Sequence, residues 1–96
     1  MYLMISTYLR PLDEVDLHRA DHQAFLDTVE QAGILISAGR RVPPDGGIVL
    51  LAVESTEQAQ EVMAKDPYVL AGVAHYEPYG WAPGRGVLAG LDRHPS

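Results

Sequence analysis

The chain contains no cysteine, which excludes disulfides and thiolate metal sites. Cationic residues are scarce. Seven Lys and Arg stand against thirteen Asp and Glu, for a net charge of -6. Nucleic acid is therefore not expected as a partner, because it requires a basic patch. No apolar run approaches the roughly 20 residues of a membrane span, so no membrane partner is expected. The N-terminus lacks a basic region and a cleavage site, so no signal peptide is expected and a soluble cytoplasmic protein follows. There is no internal repeat and no sign of a second domain.

What is present suits one small globular domain. The chain has 96 residues, 47% of them hydrophobic. A chain this short buries only about 60–65% of the surface its unfolded form exposes, so a partner subunit would help. The tail after Trp81 is rich in Gly and Pro. The reading is a domain over residues 1–81 and a C-terminal tail over 82–96. Trp81, Val87, Leu88 and Leu91 are too apolar for an ordinary disordered end, so part of 81–91 is expected to pack on the domain or a partner.

Periodicity gives the element order. MYLMISTYL (1–9) reads as a strand ended by Pro11. Asp13 suits a helix N-cap, with Leu12 and Leu17 as a hydrophobic staple, and the helix is expected over about 14–32. Gly33 suits its C′ position. ILIS (34–37) and IVLLAV (48–53) read as strands around a VPPDGG loop. STEQ (55–58) fits a capping box that opens a second helix. Asp66-Pro67 breaks that helix, and VAHYEPYGW (73–81) is the last strand. The order β-α-β-β-α-β, with right-handed crossovers, predicts an α+β, ferredoxin-like unit. It has a four-stranded antiparallel sheet with two helices on one face. IVLLAV and ILI are apolar at consecutive positions, which implies burial on both sheet faces. The helices cover one face. A second subunit's sheet is the natural cover for the other, so a homodimer through the sheet face is expected.

The stretch HRADHQAFL (18–26) poses the functional question. At 100° per residue, Val15, His18, His22, Phe25, Leu26, Val29 and Gly33 share about 100° of arc, with His22 near its middle. His22 must therefore point at the sheet. A buried imidazole needs hydrogen-bond partners or costs roughly 1–3 kcal/mol. Asp66 is the candidate partner, because it continues the inward face of Ala59, Val62 and Met63. In this topology the second helix ends where the first begins. Asp66-Pro67 also reads as an N-cap followed by N1, and local sequence favours this reading, in which Asp66 simply caps the turn at 67–71. A metal shared by His18 and His22, with Asp66 or His75, is a weaker reading, because HxxxH lacks the glutamate of HExxH.

Arg19-x-x-His22-x-x-Phe25-Leu26, then Gly33, Ala38-Gly39, Ala59, Asp66-Pro67-Tyr68 and Gly72 resemble the YCII-related (YciI-like) family over roughly residues 2–80. The resemblance implies a dimeric α/β barrel built on a ferredoxin-like unit, with His22 and Asp66 as the catalytic pair. It implies acid–base chemistry without a cofactor on a small, often cyclic, organic molecule. Family members usually carry proline after Ala-Gly. Arg40 stands there instead, a candidate contact for an anionic substrate. Tyr68 is a second candidate substrate contact.

Two classes of function remain open from the sequence. One is a small lyase, isomerase or eliminating hydrolase with His22 as base and Asp66 as its orienter. The other is a non-catalytic module whose pocket binds a small metabolite. The dimeric barrel fold also hosts monooxygenases and haem-handling enzymes, but fold alone does not assign function.

Overall fold

A computed structural model describes residues 1–90 of the 96. The elements in chain order are β1 (Tyr2–Tyr8), α1 (Leu12–Asp16), α2 (Arg19–Gln31), β2 (Leu35–Arg40), β3 (Gly47–Leu51), α3 (Thr56–Met63), α4 (Pro67–Leu70) and β4 (Ala74–Gly80). The four strands form one sheet in the order β2-β3-β1-β4, with every neighbouring pair antiparallel. This is the ferredoxin-like α+β arrangement.

Register sorts the strand side chains into two faces. Met4 lies opposite Val49 and Pro78, and Ser6 lies opposite Tyr76. Met4, Val49 and Leu51 pack with Val29, Ala59 and Met63 into the main core cluster. The other face carries Leu3 paired with Leu50 and Ile5 paired with Ile48. The consecutive apolar residues of β3 therefore do divide between the two faces. Leu50 is buried, but Ile48 is 39% exposed in the single chain.

The first helix departs from the sequence reading. Residues 14–32 do not form one helix, Asp13 is not an N-cap, and the Leu12–Leu17 staple is absent. Pro11 caps α1 instead. Its carbonyl accepts from the Glu14 and Val15 amides, while the Asp13 carboxylate accepts only from its neighbour Glu14. The amides of Leu17 and His18 tighten onto the carbonyls three residues back, and α2 restarts at Arg19. Leu17 is left 79% exposed. The break follows from the core having two parts. Val15 of α1 is fully buried with Tyr68, Val73 and Ala74, whereas Val29 of α2 serves the main cluster.

The helix stops are local and sequence-encoded. Gly33 has φ +77°. Its amide bonds the Glu30 carbonyl, and the Ile34 amide bonds that of Val29, a Schellman motif. Gly72, with φ +71°, closes α4 by the same pattern onto Val69 and Tyr68. The capping box of α3 is half formed as expected. Ser55 accepts from the Gln58 amide at 3.1 Å, while the Gln58 side chain reaches the Glu54 amide rather than that of Ser55.

Strand β2 is displaced from its expected place at 34–37. A bulge between Leu35 and Ser37 carries it on through Ala38 and Gly39 to Arg40. The Arg41 amide then bonds the Gly46 carbonyl, closing a hairpin loop over 41–46. Beyond β4 the Trp81 amide bonds the Met1 carbonyl at 2.9 Å. Pro83 is buried, while Val87 is 96% exposed. Leu91, included in the expected packing of the tail, lies outside the described residues.

The hairpin loop sits directly on β1, with the Tyr8 amide bonded to the Asp45 carbonyl at 2.8 Å. A Cβ at Gly46 would lie 1.8 Å from the Ser6 carbonyl oxygen. Gly46→Ala must therefore push the loop off the sheet. It is expected to lower the melting temperature by about 10 °C. Gly84→Ala, whose Cβ meets nothing within 4 Å, should leave it unchanged in the same calorimetric experiment.

Candidate active site

Asp66 has no exposure to solvent. Pro67 holds it in extended backbone, with φ −63° and ψ 127°, because the proline ring disfavours the helical conformation in the residue before it. Its side chain then folds back over the start of α4. Oδ1 accepts from the Tyr68 amide at 2.9 Å, and the same oxygen lies 2.8 Å from Nδ1 of His22. Oδ2 accepts from the Tyr76 hydroxyl at 2.8 Å. The helix-cap and histidine-partner readings of Asp66 are thus both realised, through one oxygen.

Three donors on two oxygens is the bonding of an ionised carboxylate. With Asp66 accepting, His22 Nδ1 is the donating nitrogen and Nε2 is the basic one. His22 is 8% exposed as a whole residue. Its ring stacks on that of Tyr68, 3.9 Å between centres and 8° from parallel. The Tyr76 phenol is pushed up from its ordinary value, first by burial and then by the Asp66 charge. It therefore stays protonated and keeps donating. The Tyr68 phenol is also pushed up, mainly by burial, with Arg40 pulling the other way.

These side chains line a cleft of about 400 Å³ between α2 and the sheet. Ser6, Tyr8 and Arg40 also line it. Arg40 ends β2 facing the cleft because the bulge resets the alternation. Its Nε donates to the Tyr8 hydroxyl at 3.0 Å, and Nη2 pairs with Asp16 Oδ1 at 2.5 Å. Burial alone would lower the guanidinium, but the bonds to Asp16 and Tyr8 hold it above its ordinary value.

All four residues singled out in the sequence, His22, Asp66, Arg40 and Tyr68, meet at this cleft. Asp66 stands behind its wall rather than in it. Sequence reading missed Tyr8, Ser6 and Tyr76. The signal was there: strand period two puts Ser6 and Tyr8 in phase with Met4, and Tyr76 in phase with Ala74. Among the described residues no group of three or more His, Asp or Glu is placed to hold a metal. His75 is exposed and paired with Thr7 on β1.

The family model of the YCII-related domain matches residues 1–82. The chain belongs to the YCII-related family. Among solved structures, one similar fold is 5-chloro-2-hydroxyhydroquinone dehydrochlorinase (TftG) from Burkholderia phenoliruptrix AC1100, in complex with 2,5-dihydroxybenzoquinone. The two chains are 18% identical, with a TM-score of 0.69. The likeness covers 88% of this chain and 96% of that one. No curated protein sequence matches significantly. Within the YCII-related fold, no helix among the described residues is long and apolar enough to cross a membrane.

Removing the Tyr76 hydroxyl leaves Asp66 Oδ2 buried without its donor. Tyr76→Phe is expected to cost about 1–3 kcal/mol in denaturant titration at neutral pH. The sign of the pH effect follows from the raised phenol. The folded protein keeps a proton that the unfolded chain releases near pH ~10. The stability this proton contributes is complete below that pH and is lost as pH rises above it. Tyr76→Phe should therefore flatten the alkaline fall of stability measured between neutral pH and pH ~11.

Proposed function

We propose that this YCII-related protein is a small enzyme that needs no cofactor and performs acid–base chemistry on a small organic substrate, a lyase, isomerase or eliminating hydrolase reaction. The observation that carries the reading is the 2.8 Å contact between Nδ1 of His22, in the wall of the cleft, and Oδ1 of Asp66 behind it. Asp66 fixes the imidazole tautomer and stabilises the imidazolium that forms. Nε2 of His22 removes a proton from the substrate and returns it to the product or the leaving group, a role typically worth 10²–10⁴-fold in rate. Arg40 and Tyr68 are the proposed substrate contacts, and a cleft of about 400 Å³ suits a small ring. The dehydrochlorinase of similar fold, whose name gives a chlorinated hydroxyhydroquinone as its substrate, supports a cyclic substrate class, and Arg40 is the feature that favours an anionic one.

Substitution at Asp66 separates chemistry from architecture. In Asp66→Asn the amide oxygen can keep both the Tyr68 amide and His22, while the amide NH2 faces Tyr76. A hydroxyl accepts as readily as it donates, and asparagine caps a helix about as well as aspartate. The geometry survives and only the charge is lost. Turnover of hydroxylated or halogenated ring substrates is expected to fall roughly 10²–10⁴-fold with little change in melting temperature. His22→Gln should abolish it. Thermal shifts by such ligands without any product from the wild-type protein would instead identify a binding module.

The proposed assembly is a homodimer. Leu3, Ile5 and Ile48 leave apolar surface open on the helix-free sheet face beside buried Leu50, and a twofold-related copy would cover it. Sedimentation at micromolar concentration is expected to give a dimer. A monomer there removes the assembly but leaves the His22–Asp66 chemistry untouched.

A further inference from the structure

Tyr8 is the last residue of β1, and strand period puts it on the helix side of the sheet. Its ring stands edge-on to Tyr68, 6.0 Å between centres at 84°, and Tyr68 in turn stacks on His22 at 3.9 Å. The three rings form a short ladder along one cleft wall. At the far end from His22, the Tyr8 oxygen accepts from Arg40 Nε at 3.0 Å, and the Arg40 Cζ lies 5.6 Å from the Tyr8 ring centre. A hydroxyl that accepts from a guanidinium still has its own hydrogen to give, and gives it more strongly. Asp16 holds Arg40 and offsets its charge. The site is therefore not a bare cation suited to phosphates or polyanions. It is an oriented O–H donor with a fixed dipole behind it, the arrangement that stabilises charge as it develops.

We propose that the Tyr8 hydroxyl, oriented by Arg40, is the donor that receives the oxyanion formed when His22 takes a proton from an enolisable cyclic ketone or a phenol. This rests on the acid–base reading above. The proton goes to His22 Nε2. From a ketone the C–H pair shifts onto the carbonyl oxygen as an enolate, from a phenol the O–H pair stays on oxygen as a phenolate, and Tyr8 hydrogen-bonds that oxygen without being deprotonated. The imidazolium then gives the proton back to carbon or to the leaving group. No oxidant or reductant is needed. Differential bonding of this kind accelerates the step, because it strengthens only as the oxygen gains charge.

The test uses 4-nitrophenol, whose absorbance reports its ionisation, with the full chain and its Tyr8→Phe and His22→Gln variants. The wild-type protein is expected to bind the dye as the anion at a pH where free dye is only half ionised. Tyr8→Phe keeps the ring against Tyr68 and removes only the hydroxyl. It should weaken the bound anion roughly tenfold and return the bound spectrum toward that of free dye, with the melting temperature retained. His22→Gln should keep the anionic dye, because at binding equilibrium the dye's proton can go to solvent and the anion is held by Tyr8. The proposal is overturned if the dye binds as neutral phenol, if it does not bind at millimolar concentration, if Tyr8→Phe binds the anion unchanged, or if His22→Gln alone abolishes the anionic form. None of these outcomes bears on whether His22→Gln abolishes turnover, so the base and the donor fail independently.

Discussion

The Asp66 carboxylate is the constraint around which the rest is arranged. It is a charge with no exposure to water, and such a group is tolerated only when its oxygens are bonded. The donors come from three separate elements: His22 of α2, the Tyr68 amide of α4 and the Tyr76 hydroxyl of β4. Tyr68 belongs to the smaller apolar cluster, whereas Tyr76 packs against the larger one. Asp66 is thus the polar seam between two halves of the core. Among the described residues, no buried side-chain nitrogen or oxygen lacks a partner. The cost of burying the charge is met by bonds that also fix the imidazole.

This double use explains why the local and the functional readings of Asp66 could not be separated from sequence. Asp-Pro is cap chemistry wherever it occurs, and nothing local says that the same oxygen has a second donor. The pairing is a property of topology. It needs α3 to end beside the start of α2, which the β-α-β-β-α-β order supplies. The helical arc of residues 15–33 placed His22 inward, and its neighbour was then decided by Asp66, the acidic residue just beyond α3 that continues its inner face.

What was legible in the sequence is what short-range chemistry dictates. Gly33 stops α2, Ser55 caps α3, and Pro67 sets Asp66. The strands were found by their β-branched and aromatic runs, and their order followed from chain connectivity. Three features were not legible, each for a physical reason. The break at Leu17–His18 has no glycine or proline to mark it, because it is imposed by two core clusters that one straight helix cannot serve. The bulge at Ile36 extends β2 through Ala38-Gly39, residues of poor strand preference that pairing with Val49 and Ile48 overrides. The Tyr8–Arg40–Asp16 chain joins residues far apart in sequence, and only the fold brings them together. The YCII-related pattern marked Arg40 as unusual without saying what it would touch.

The hairpin loop between β2 and β3 is divided in its freedom to change. Gly46 is pressed onto the Ser6 backbone and admits no side chain, and Arg40 and Gly47 form the cleft wall itself. Between them Val42 to Asp45 are exposed, Val42 almost completely. The loop can therefore diverge by substitution at those four positions, none of which lines the cleft, while Arg40 and Gly47 on either side of it stay as they are. In this architecture the outer turn of the hairpin can drift under selection without disturbing the cleft walls that flank it.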